Sequence, residues 1–323
     1  MIEKYLGFYL SKPCWIEQAI DIENGIPQDF SKQMEEERFS YEGSGFILKI
    51  FRDGQFLIRI KKDFGENPDP NVIPNLEAMN KKWSAHLNFA NALILLFESA
   101  FLTEFRYGYF EIQELTKSNT FVVNCENGRM SGNTMAEGTV KEYQSARLRW
   151  FLPPMNPQGF EKYHPFFHPR EVIKKSVLDK LSADLNMISN DERLIRLLSQ
   201  FTKSISEFKI RNFDTSLVLS WFVIESIIND KYHPYQTEKE KKENSHPTGV
   251  KRKIEILKEN EIMSDEFALE LQEIREVRNK IAHSGYVCSL NDAEISINLL
   301  TNLLENHFSL KVIVNLSLFR MCL

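Results

Sequence analysis

The chain has 323 residues, of which 42% are hydrophobic and 26% charged, and its formal net charge is −5. This is the composition of a folded globular protein with room for two domains, and it argues against a chain that wraps broadly around nucleic acid. A local basic patch is still compatible with it, because phosphate binding depends on clustered Lys and Arg and not on the total.

Residues 1 to 15 lack the basic and then apolar order of a signal peptide. Phe46 to Phe51 and Phe56 to Ile60 are β-prone runs joined through Asp53-Gly54, which predicts a hairpin with a type I′ turn. Trp83, Leu87, Ala90, Ile94 and Phe97 recur at helical spacing and predict a long helix over 76 to 102. Its most apolar stretch, Leu87 to Leu102, is broken by Asn88, Asn91 and Glu98. It falls short of the roughly 18 consecutive apolar residues of a membrane span. Further strands are predicted at 106 to 115, 120 to 125 and 139 to 151, so the first half reads as an α+β domain.

Pro153, Pro154, Pro157, Pro165 and Pro169 interrupt both helix and sheet and place a domain boundary. His164 and His168 have a spacing two zinc ligands could use on a helix, but the prolines oppose that helix and no metal is expected. Gly43-Ser-Gly45 precedes a strand and is no phosphate loop.

Beyond the prolines, capped helices take over. Ser189 with Glu192 reads as a capping box opening a helix whose Leu194, Leu198, Phe201, Ile205 and Phe208 form one stripe. A helix over 213 to 229 is apolar nearly all round and should be central. Another follows near 249 to 259. Ser264 then caps a helix, with Asp265 and Glu266 in its first turn, that should stop at Gly285. Asn291 with Glu294 opens a last helix toward Phe308. The expected organisation is an α+β domain over 1–155, a proline-containing linker and leading helix over 156–187, and an all-α antiparallel helical bundle over 188–323. Cys14, Cys125, Cys288 and Cys322 are widely spaced and form no CxxC pair, as in reduced thiols of a cytoplasmic protein.

The helix opened by Ser264 carries the chemistry. Its apolar stripe is Phe267, Leu271, Ile274, Val277 and Ile281, and Arg278 projects into it. A charge on such a face needs an anionic partner or a cavity. Glu225 shares a face of the 213 to 229 helix with Val218, Trp221, Phe222 and Ile228, and a Glu225–Arg278 pair is expected. Taken alone, that pair reads first as a structural bridge. His283 follows Arg278 by five residues, about 140° around an ideal helix. Asn279, four residues before His283, can reach its ring. An imidazole can exchange protons near neutral pH, and a guanidinium can stabilise a pentavalent phosphate.

Arg278-Asn-Lys-Ile-Ala-His283, followed by Ser-Gly285, resembles the signature of HEPN domains: an arginine, commonly a polar residue next, and a histidine after four to six residues. Residues 190 to 310 look most like the ApeA-like branch, including a Trp-x-x-x-Glu matched by Trp221 and Glu225. The resemblance implies a metal-independent RNA endonuclease without cofactor, which uses the 2′-hydroxyl of its RNA substrate and leaves a 2′,3′-cyclic phosphate. By the same resemblance Arg278 would bind the scissile phosphate and His283 would act as general acid or base. Asn279 would orient His283 or touch substrate, and Glu225 would hold Arg278. It further implies a homodimer through the bundle and a role as a toxin or anti-phage effector, with an antitoxin or sensor as partner. The N-terminal half is a candidate for that sensor. Lys251-Arg252-Lys253 is the candidate RNA-binding patch. Lys239 to Lys242 is a second, diluted by Glu238, Glu240 and Glu243; either run also reads as a solvated face. The family includes domains that only bind, so a catalytically silent module for RNA, nucleotide or a protein partner is the alternative function. A purely structural bundle is a third.

Overall fold

A computed structural model describes residues 2–21, 27, 29–65, 75–126, 129–134, 170–236 and 248–318. The chain divides into two compact units, Met1–Ser199 and Gln200–Leu323. The five prolines, His164, His168, the strand expected at 139 to 151 and Lys239 to Lys242 lie outside the described residues.

The first unit holds a six-stranded sheet of order β3-β4-β5-β1-β6-β7, built from β1 (Ile2–Tyr9), β3 (Glu37–Glu42), β4 (Phe46–Phe51), β5 (Gln55–Ile60), β6 (Phe121–Glu126) and β7 (Arg129–Asn133). Every neighbouring pair in it is antiparallel. A separate pair, β2 (Cys14–Ile16) and β8 (Glu171–Ile173), runs parallel. A short helix, α1, spans Phe30–Met34. The β4–β5 hairpin forms as expected, but its turn is of another kind. Of its loop residues only Gly54 has positive φ, at 81°, and the Gly54 N–H donates to the Phe51 carbonyl. That is the three-residue loop of a type I turn followed by a left-handed glycine, not a type I′ turn.

Alternation along the strands buries both faces. Tyr5, Tyr9, Leu57, Phe121 and Val123 cluster on one. Phe8, Phe46, Phe56 and Ile58 lie on the other, where Phe46 meets Phe89 and Phe56 meets Phe97 of α2 (Leu76–Phe105). The Asn75 side chain caps α2 by accepting from the Ala78 N–H at 3.1 Å. By length and composition α2 does qualify as a membrane span, contrary to expectation; 83% of its most apolar 18-residue window is buried inside the fold.

Asn91 explains why a polar residue interrupts that helix. Its amide donates to the Leu115 carbonyl at 3.0 Å and accepts from the Leu115 N–H at 2.7 Å. The strand expected at 106 to 115 is irregular instead. Side chains such as Asn91 and Ser11 supply hydrogen bonds that a neighbouring strand would otherwise provide. α3 (Lys175–Ile188), expected to lead the bundle, packs on α2 within the first unit through Val177, Leu181 and Leu185. The division into units therefore falls later than the prolines, inside α4 (Glu192–Lys209).

The second unit is helical. It comprises the rest of α4, then α5 (Phe213–Tyr232), α6 (Val250–Glu259), α7 (Asp265–Ser284) and α8 (Leu290–Phe308). α5 is central, packing on α8, α6 and α7. Small residues bring α5 and α8 close, with the Ser220 and Ser296 hydroxyls 2.5 Å apart in the core.

Two caps differ from expectation. Asp191, not Ser189, caps α4, accepting from the Arg193 and Leu194 N–H groups; Ser189 ends α3. Ser289 and Asp292 form the capping box of α8, two residues before Asn291 and Glu294. In both cases several cap-forming residues lie in a row, and the side chain that meets the free N–H groups is decided by where the chain enters the helix.

Candidate active site

The sequence starts and stops α7 as expected. Ser264 accepts from the Phe267 N–H at 3.2 Å, and Gly285, in left-handed conformation at φ 63°, donates to the Lys280 carbonyl. Ala268, Leu271 and Ile274 are buried, whereas Val277 and Ile281 are only half-buried. The apolar stripe thus loosens toward the C-terminal end, and Arg278 sits where it does so.

Arg278 is half-buried. Its Nη1 donates to the Asn279 Oδ1 at 3.1 Å, and its Nε is buried with no hydrogen-bond partner among the described residues. A desolvated N–H costs free energy until an acceptor meets it, and a guanidinium with donors to spare suits a phosphate oxygen. His283, in the last turn, is exposed and bonds to none of the described residues. An ideal helix separates the two by about 7.5 Å along its axis and about 140° around it, so one side chain alone does not bring the other into place.

Asn279 does not reach the His283 ring in this arrangement. Its carbonyl oxygen is engaged by Arg278, and it makes no hydrogen bond to His283. A neighbour in sequence outcompetes a partner one turn away because the guanidinium is a charged donor.

Glu225 is also placed otherwise. No ion pair joins it to Arg278 among the described residues, and it is half-exposed. On α5 it lies about 40° around from Trp221 and about 60° from Phe222. Trp221 is buried, but Phe222 is 44% exposed. The face read as inward is thus a border between core and solvent, where a carboxylate needs no buried partner. Glu225→Ala is accordingly expected to change unfolding free energy by no more than about 0.5 kcal/mol. Urea denaturation checks this, and a loss of about 3 kcal/mol would restore the buried bridge.

The candidate basic patch on α6 is largely spoken for. Arg252 pairs with Glu259 at 2.9 Å and Glu255 at 3.2 Å, and these carboxylates raise its pKa further. Lys253 donates to Asn229 at 2.8 Å and lies over the Tyr232 ring. Lys251 is exposed and is the one of the three without such a side-chain partner among the described residues.

Sequence reading passed over Arg275. It lies three residues before Arg278, and its Nε donates to Gln272 Oε1 at 2.8 Å, while Gln272 Nε2 donates to the Lys251 carbonyl at 3.0 Å. The i, i+3 spacing of two arginines was the available signal. Asp214 carried no signal at all: it accepts from the Cys288 N–H at 2.5 Å and so ties down the segment that follows His283. Comparison of the chain with protein-family models, with curated proteins and with solved structures finds no match in any of the three.

Proposed function

We propose that the second unit is a HEPN-type domain and that the chain is a metal-independent RNA endonuclease, working in the cytoplasm as a toxin or anti-phage effector. The observation that carries this reading is one helix end that presents an exposed imidazole, His283, and a guanidinium with an unsatisfied donor, Arg278. The chemistry needs both. The 2′-hydroxyl loses its proton to a base and attacks the adjacent phosphorus. The P–O5′ bond then breaks, an acid protonates the departing 5′ oxygen, and a 2′,3′-cyclic phosphate remains. His283 supplies proton transfer and Arg278 offsets the charge that builds on the phosphate.

Two proton transfers call for two groups, and each chain's motif holds a single histidine. A homodimer brings a second motif. Support for an interface comes from large apolar side chains just after His283: Tyr286 is 42%, Val287 76% and Leu290 42% exposed. Exposed apolar side chains grouped in this way mark a contact surface. Light scattering should find a dimer at micromolar concentration, and Val287→Glu should shift it toward monomer and lower RNA cleavage with it. A wild-type monomer with full activity would overturn the dimeric site.

The silent-module reading draws on one observation, the engagement of Arg252 and Lys253 within the protein, which leaves little free basic surface on α6. RNA binding that depends on Arg278, with no cleavage of total cellular RNA under any dimeric condition, would favour it.

A further inference from the structure

The first unit contains a half-open cleft of about 640 Å³ that the reading above does not use. It is lined by the ends of β4 and β5, the segment after β5, the N-terminal half of α2 and the first turns of α4. Its volume is in the range of pockets that enclose a small organic molecule. Phe46, Ile60, Phe64, Ala85, Phe89 and Ile195 give it an apolar floor. Phe46 and Phe89 there are held in mutual contact, with ring centroids 3.9 Å apart, and Tyr41 stacks behind Phe46. A floor so braced is preformed, so a ligand would meet little ordering cost.

Charge around the mouth is unbalanced. Lys62 pairs with Glu192 at 2.7 Å and Lys81 with Glu77 at 2.6 Å. Arg196, the third cation, is exposed and has no ion pair or hydrogen bond among the described residues. Among the described lining residues, three cations against two carboxylates leave one positive charge, carried by a side chain with five N–H donors and no acceptor. The two existing pairs are exposed and hold weakly, so either lysine can turn to a ligand at small cost.

We propose that this cleft binds a small amphipathic anion: an apolar body of about two fused rings, seated on the phenylalanine floor, with one carboxylate, sulfonate or phosphate held by Arg196. The site is independent of RNA cleavage, and its test does not use that reaction.

The probe is 8-anilinonaphthalene-1-sulfonate, an aromatic anion that fluoresces on leaving water, titrated into the full-length protein. One saturable site per chain is expected. Arg196→Glu, at an exposed position, should leave the melting temperature unchanged and weaken binding by about tenfold or more. Ala85→Trp should fill the floor and abolish the site, while Val287→Glu in the other unit should have no effect on it. The uncharged analogue N-phenyl-1-naphthylamine should bind without regard to Arg196. Absence of saturable binding, or binding indifferent to both Ala85→Trp and Arg196→Glu, would overturn the proposal. Loss in Ala85→Trp with no change in Arg196→Glu would overturn its anionic selectivity.

Discussion

His283→Ala is expected to fold as the wild-type chain does and to lose RNA cleavage by about 10²- to 10⁴-fold, the usual cost of removing a general acid or base. The two halves of this expectation rest on separate observations. Folding survives because the ring is exposed and bonds to none of the described residues; surface changes of that kind stay within about 0.5 kcal/mol. The rate falls because His283 is the one imidazole on α7, and an imidazole is the side chain suited to exchanging protons near neutral pH. His283→Gln keeps much of the size and polarity of the ring and should be as inactive as the alanine variant. Circular dichroism and cleavage of a labelled RNA measure the two halves on the same sample. Full activity in either variant would remove His283 from the mechanism.

Trp221→Ala should destabilise the second unit by about 3–5 kcal/mol. Trp221 is 1% exposed on the central helix α5, beside Leu217 and Ile224, which are fully buried. Truncation removes the largest fully buried side chain of that unit and leaves a cavity that a close-packed core fills only in part. Against the 5–15 kcal/mol that typically holds a domain together, this is a large part of the total. The denaturation midpoint should fall steeply, and RNA cleavage at 37 °C should go with it. Trp221→Phe should recover most of the loss. A midpoint within error of wild type would place Trp221 outside the core. The comparison with Glu225→Ala is instructive, since both belong to one Trp-x-x-x-Glu pattern yet the first should cost several kcal/mol and the second almost nothing.

Helix periods were the most legible features of the sequence, and helix ends were legible where one cap residue stood alone, as at Ser264 and Gly285. α2, α5, α7 and α8 lie within a few residues of expectation because each carries a long apolar stripe between recognisable stop signals. Gly285 ends α7 in the left-handed conformation the sequence called for. Beyond the β4–β5 turn and two helix caps, what failed was decided by partners distant in sequence. The segment 106–115 looks like a strand, but Asn91, on a neighbouring helix, takes up the hydrogen bonds of Leu115. α3 follows the prolines and so was expected to lead the bundle, and packing on α2 assigns it to the first unit instead. Glu225 and Arg278 each looked inward by helical angle. Yet an angle of about 40° from a buried residue can be core or border, depending on how far the neighbouring helix reaches. The sequence placed Arg278, Asn279 and His283 together on the last turns of α7, but not the contacts of Arg278 with Asn279 or of Asp214 with Cys288.

If the end of α7 cleaves RNA by 2′-hydroxyl attack without a metal, as proposed, the products carry the record of it. The most direct measurement is the chemistry of the cut ends. A short end-labelled RNA is incubated with purified protein in EDTA, beside a DNA and a 2′-O-methyl RNA of the same sequence. Cleavage of the RNA alone, undiminished by EDTA, leaving 2′,3′-cyclic phosphate and 5′-hydroxyl ends and lost in Arg278→Ala, is the predicted result. Cleavage that stops in EDTA, that leaves 3′-hydroxyl ends, or that cuts the 2′-O-methyl RNA would contradict it.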